Sequence, residues 1–163
     1  MPAAPKRVCF LSYHRADFPH AKRFTDDFCA AYDRLIDRGI EASMAGAIAS
    51  SEEADYIKHS IRTTYLRDSV VTIVLLGPCT WSRKFVDWEI AASLEKGEDY
   101  KRNGLLILIL PGMDADLART RIKDNIDSGY AVVRHYPTSE AELIDAIEAA
   151  YLLRERDELV DNS

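Results

Sequence analysis

The chain has 163 residues, 47% hydrophobic and 29% charged, enough for one ordinary α/β domain and too apolar for wholesale disorder. Its formal net charge of −6 argues against non-specific nucleic-acid binding, which calls for a basic surface. No apolar run nears the roughly 20 residues that cross a bilayer, no signal-peptide segment follows the N-terminus, and Cys9, Cys29 and Cys79 form no disulfide framework. The expectation is a soluble cytoplasmic protein with neither membrane nor nucleic acid as partner.

Residues 1–5 read as a flexible tail, and residues 7–12 (RVCFLS) as an opening strand. Asp17 is placed to cap a helix with Pro19 in its first turn, and Phe24, Phe28, Ala31 and Leu35 extend its apolar stripe toward a stop at Gly39. Residues 40–43 carry a weaker edge-strand signal. Ser50-x-x-Glu53 forms a capping box ahead of a stripe of Ile57, Ile61 and Tyr65.

Residues 70–76 and 105–110 are unbroken apolar runs bounded by turn residues, the pattern of strands buried on both faces. Between them, Thr80 or Ser82 opens a helix carrying Phe85, Val86, Glu89, Ile90 and Leu94, with a stop near Gly97. Residues 113–129 are polar and irregular, with room for one short helix. Residues 131–134 read as a closing strand, and Ser139-x-x-Glu142 caps a last helix that turns Leu143, Ile147 and Ala150 inward.

Strands alternating with helices predict an α/β, three-layer, flavodoxin-like fold: a parallel five-stranded sheet of order 2-1-3-4-5 with helices on both faces. Residues 70–76 and 105–110 take its centre. One domain is expected over 6–153, and 154–163 (RERDELVDNS) reads as a charged tail prone to fraying.

In such a sheet ligands bind beyond the carboxyl ends of the strands, at the switch point between the first and third strands. The loops there carry no GxxxxGK[ST], no GxGxxG and no GxSxG. Ser12-Tyr13-His14 and Gly77 stand where a receiver domain needs aspartates. The histidines (His14, His20, His59, His135) and cysteines lack zinc spacing, so no metal is expected. Cys79 has no identifiable partner base and is set aside as a nucleophile.

What remains is Cys79-Thr-Trp-Ser-Arg-Lys-Phe-Val-Asp-Trp-Glu89-Ile90. Helical spacing puts Phe85 and Glu89 on one face. A carboxylate among large apolar residues beside the switch point is partly desolvated and suited to meet a positive charge. The alternative, that Glu89 only caps or pairs with Arg83 or Lys84, stays open.

These residues resemble a family. Phe10-Leu11-Ser12-Tyr13-His14-Arg15 is similar to the FxSxH-type start of TIR-like domains. SVVTIVLLG (69–77), with Thr80 and then Arg83-Lys84-Phe85-Val86-Asp87-Trp88-Glu89-Ile90, is similar to their third strand and W-V-x-x-E-[IL] helix, with Phe85 where many have tryptophan. Over residues 6–150 the chain most resembles the TIR-like (ThsB-type) signalling subunit of Thoeris antiphage systems. The alanine-rich stretch 44–51 lacks the proline-containing loop of animal receptor TIR domains, which speaks against adaptor signalling.

The resemblance implies an enzyme of bacterial antiviral defence that breaks the nicotinamide–ribose bond of NAD, as substrate and without a cofactor. One carboxylate suffices for this reaction, because the cationic pyridinium leaves neutral and no general acid is needed. Glu89 is then the catalytic residue, accepting from ribose hydroxyls and stabilising the cation. Ser12, Tyr13, His14, Arg15, Arg83, Phe85 and Trp88 are candidate substrate contacts: rings for stacking, arginines for the diphosphate. Plain packing is the alternative for the rings and for Phe10, and solvated surface positions for the arginines. The short flanks are expected to hold no further domain. Between NAD depletion and signalling, the resemblance implies a diffusible, cyclic ADP-ribose-derived signal read by a separate effector, with homo-oligomerisation and a phage-derived trigger left open. Two other readings stand beside it: a non-catalytic interaction module, and a nucleoside deoxyribosyltransferase-like enzyme.

Overall fold

The computed structural model describes residues 6–13, 17–28, 32, 34–36, 66, 68–77, 84–96, 101–111 and 120–160, with backbone alone at 34–36, 84–88 and 120–121. In chain order the elements are β1 (Val8–Ser12), α1 (Phe18–Asp27), β2 (Arg34–Ile36), β3 (Val71–Leu76), α2 (Lys84–Ser93), β4 (Gly104–Ile109), α3 (Thr120–Ser128), β5 (Ala131–His135) and α4 (Glu140–Leu153). A 3₁₀ turn, Asp157–Leu159, follows. The strands pair in parallel in the order β2-β1-β3-β4-β5. This is the α/β parallel architecture that the strand–helix alternation implies.

Both central strands are buried along their whole length, and every residue but Thr72 and Gly104 feeds one of two cores. Cys9, Leu11, Val71, Ile73, Leu75, Leu106 and Leu108 meet Phe24 and Phe28 of the α1 region and Leu143 and Ile147 of α4. Val74, Leu76, Leu105, Ile107 and Ile109 meet Ile90 and Leu94 at α2 and Ile122 on α3. The period-2 alternation of a strand thus places helices on both faces of the sheet. Burying the Cys9 thiol in the first core pushes its pKa up to about 12, which leaves it an inert packing group.

The first helix is shorter than its apolar stripe suggests. It ends at Asp27, and Arg34–Ile36 leaves the expected helix to become β2, with Val8↔Arg34, Cys9↔Leu35 and Phe10↔Ile36 in register. Leu35 fits either period, and pairing wins because the outer edge of β1 would otherwise bury unpaired backbone groups. The expected strand at 40–43 and the capping-box helix after Ser50 lie outside the described residues. Asp17 stands at the N-cap of α1 but makes no side-chain cap bond. α2 ends at Ser93, before Gly97, and the irregular stretch 113–129 contains α3, stopped by Gly129 at φ +88°.

Half of the last capping box forms as the spacing requires: Ser139 caps the helix, while the Glu142 side chain reaches one residue further back, to Thr138. Ser139 Oγ accepts from the Glu142 N–H at 3.2 Å, while Glu142 Oε2 accepts from Thr138 N at 3.2 Å and Thr138 Oγ1 at 2.7 Å. The Thr138 hydroxyl and then its N–H hold the Glu142 carboxyl below its ordinary pKa. A carboxylate lowered in the folded state adds stability above its unfolded pKa, about 4.3, and loses it as pH falls through the folded value. Melting temperature followed from pH 6 downward should therefore fall less steeply in Glu142→Gln than in the wild type.

The charged segment after α4 is tied down over its described part. Glu155 pairs with Lys101 at 2.9 Å, Asp157 with Lys96 at 3.0 Å and with Arg102, and Leu159 and Val160 pack on the second core. At the other end of the chain, Arg7 forks onto Glu148 at 2.9 and 3.1 Å and lies 3.7 Å from the Tyr151 ring centroid, fastening β1 to α4.

Candidate functional site

Parallel pairing fixes which side chains share a face. Ser12 is in register with Val74, and Phe10 with Thr72. Val74 belongs to the core under α2, so Ser12 and Phe10 project to that face, while Cys9 and Leu11 project to the other. α2 lies over this face. Ser93 is hydrogen-bonded to Thr72 of β3 at 2.6 Å, and α2 also touches β1.

Glu89 lies one turn before Ser93 on the same stripe of α2. Because α2 runs back along the sheet after β3, those four residues set Glu89 about 6 Å nearer the carboxyl ends of the strands. It is only 6% exposed, a degree of burial rare for a glutamate. Ser12 ends β1 on the same face, fully buried, and its Oγ has no hydrogen-bond partner among the described residues. A buried hydroxyl without a partner costs stability unless something else supplies one.

A third group at this end escaped the sequence pattern. Asp17, 6% exposed, places its carboxyl against Gly77 just beyond β3. A β-carbon on Gly77 would come within 2.7 Å of Asp17 Cγ and 2.8 Å of Oδ1, so any larger residue there would have to push the Asp17 carboxyl aside. Asp before a Phe-Pro helix start reads as a cap, and one sequence offers no sign that it reaches across the strand ends instead. A glycine directly after a buried strand is the single hint that another element comes close there.

The other candidates are distributed unevenly. Tyr13 is half-buried, packs on the α1 and α4 side, and sits 6.5 Å centroid to centroid from Phe18, which puts it across the sheet from Ser12. Phe10 is fully buried core. Phe85 and Trp88 take their places in α2, with Phe85 four residues before Glu89; their side chains lie outside the described residues, as do His14, Arg15 and Arg83. No group of three or more His, Cys, Asp and Glu residues that could hold a metal occurs among the described residues.

The parallel sheet, with Ser12, Asp17 and Glu89 buried around its switch point, defines an α/β domain whose candidate site is the end of the sheet beyond the carboxyl ends of β1 and β3. The family described as Thoeris protein ThsB, TIR-like domain, matches residues 10–116, roughly two thirds of the chain, and the protein belongs to that family. The matched stretch contains all three residues. No curated protein matches the chain. Membership of the family suggests a role in defence signalling. Among the described residues, no helix is long and apolar enough to cross a membrane.

Proposed function

We propose that the protein cleaves the bond between nicotinamide and ribose in NAD and releases an ADP-ribose-derived, cyclised product that a separate effector reads. The observation that supports this reading most is the buried Glu89 on the helix after β3, on the face where β1 ends in the Ser12 hydroxyl, which has no hydrogen-bond partner among the described residues. In this reaction the C–N bond electrons leave with neutral nicotinamide, and the ribose carbon passes through an oxocarbenium-like state. Glu89 stabilises that cation and accepts from a ribose hydroxyl. Ser12 supplies one substrate hydrogen bond, Phe85 or Trp88 a stacking surface, and Arg15 and Arg83 charge for the diphosphate. A ribose hydroxyl of the same molecule then bonds to the cationic carbon and gives up its proton to solvent, or an adenine ring nitrogen bonds through its lone pair and the adenine takes over the positive charge. Tethering makes this capture faster than attack by water in a closed site.

The test is incubation of the purified protein with NAD and, separately, with deoxynucleosides, followed by chromatography of the products. Nicotinamide from the first and no free base from the second support the reading. Base release from deoxynucleosides points to a deoxyribosyltransferase, and silence in both, with and without lysate from phage-infected cells, to an interaction module. Ser12→Ala separates binding from folding. Removing a buried hydroxyl that has no hydrogen-bond partner among the described residues should leave the melting temperature unchanged or raise it, while KM for NAD rises about five- to tenfold, the worth of one hydrogen bond. Unchanged KM in a folded variant removes Ser12 from the site.

A further inference from the structure

A chain of buried polar side chains runs from the sheet to the backbone of Glu89. Asn103 Nδ2 donates to Ser69 Oγ at 2.8 Å and to Thr72 Oγ1 at 3.1 Å. Ser69 passes its own proton to the Leu66 carbonyl at 2.8 Å. Ser93 Oγ donates to the Glu89 carbonyl at 2.8 Å. With that proton committed, Ser93 is the acceptor in its 2.6 Å contact with Thr72. The direction is therefore set at every link: Asn103 to Thr72, Thr72 to Ser93, Ser93 to the Glu89 carbonyl.

All four residues Ser69, Thr72, Ser93 and Asn103 are buried, at 4% exposure or less. Two backbone links close the frame. Asn103 N–H donates to the Ser93 carbonyl at 2.7 Å, an orphan acceptor at the end of α2, and the Tyr130 hydroxyl donates to the Asn103 carbonyl at 2.5 Å. Hydrophobic packing by Ile90 and Leu94 presses α2 onto the sheet but does not set its rotation or its slide along the axis. Directional bonds do. A serine that bonds back to the carbonyl four residues earlier also perturbs a helix locally, so the chain ends on the turn that carries Glu89.

We propose that Thr72, Ser93 and Asn103 are positioning residues, which hold α2 so that the Glu89 carboxylate meets the substrate cation in the productive geometry. This rests on the reading of Glu89 as the catalytic residue. Thr72 does not touch substrate; it acts through Ser93 and the helix. Its methyl-for-hydroxyl replacement, Thr72→Val, keeps the volume and leaves Asn103 without one acceptor and Ser93 without its donor.

The experiment compares the wild type with Thr72→Val, Thr72→Ser and Ser93→Ala. It measures kcat and KM for NAD well below each melting temperature, and it follows the Glu89 side-chain carboxyl signal by carbon NMR through a pH titration. The expected result for Thr72→Val and Ser93→Ala is a fall in kcat of about ten- to a hundredfold with KM within about twofold, together with a displaced Glu89 titration. Thr72→Ser, which restores the hydroxyl, should return both to wild-type values. Folded variants with lowered melting temperature but wild-type kcat and wild-type Glu89 titration would overturn the proposal and leave the chain a stabilising device. If the wild type releases no nicotinamide, the reading of the activity fails instead, and the Glu89 titration alone decides whether the chain positions that carboxylate.

Discussion

Glu89→Gln is expected to lower nicotinamide release from NAD by about a hundred- to a thousandfold, the loss that follows removal of one preorganised electrostatic partner from a transition state. The amide keeps the size of the carboxyl group and removes the charge that the oxocarbenium-like ribose requires. Folding should survive, because a neutral group at 6% exposure no longer carries the desolvation cost of an ion. Initial rates by chromatography, read beside thermal melts, separate the two effects. A folded variant that turns over NAD at the wild-type rate would remove Glu89 from the chemistry.

The second large effect is on stability, at the opposite end of the sheet. Gly104 begins β4 where α4 crosses it. A β-carbon there would meet the Ala150 carbonyl oxygen, with its carbon at 2.6 Å and Tyr151 N at 3.1 Å. These are backbone atoms of a helix locked by Leu143, Ala146, Ile147 and Ala150 in the core, so no side chain can swing aside. Gly104→Ala should cost about 3 kcal/mol and lower the melting temperature by about 6–12 °C. Gly129→Ala provides the contrast. That glycine has φ +88° and open space around it, so the change costs only about 1–2 kcal/mol of backbone strain. Equal melting temperatures for the two variants would mean that α4 does not press on β4 as closely as the structure has it.

Much of the frame was legible because its signals are local. The unbroken runs around Val71–Leu76 and Gly104–Ile109 declare burial on both faces within a few residues, and both strands fall there within one residue of the expected bounds. Ser139 and Glu142 sit one helical turn apart, so the cap bond from Glu142 N–H to Ser139 depends only on the chain's own geometry. Glu89 belongs with these: its position on a helix beside the switch point follows from spacing and strand order, and its burial agrees with the apolar residues around it.

Other features depend on partners distant in sequence. Arg34–Ile36 carries no stronger strand pattern than helix pattern, and the open edge of β1 decides between them. Asp17 looks like any helix cap until Gly77, sixty residues later, is brought against it. Thr72, Ser93 and Asn103 are unremarkable one by one and become a directed chain only when β3, α2 and the start of β4 meet. The amino-acid sequence by itself determined the α/β class, the two central strands, the Ser139 cap of the last helix and the glutamate that merits attention, since each follows from periodicity or capping within a turn or two. Tertiary structure alone decided where β2 lies, which face Ser12 takes, what Asp17 approaches and how α2 is held, because register and hydrogen bonding between remote segments are settled only when the whole chain has packed.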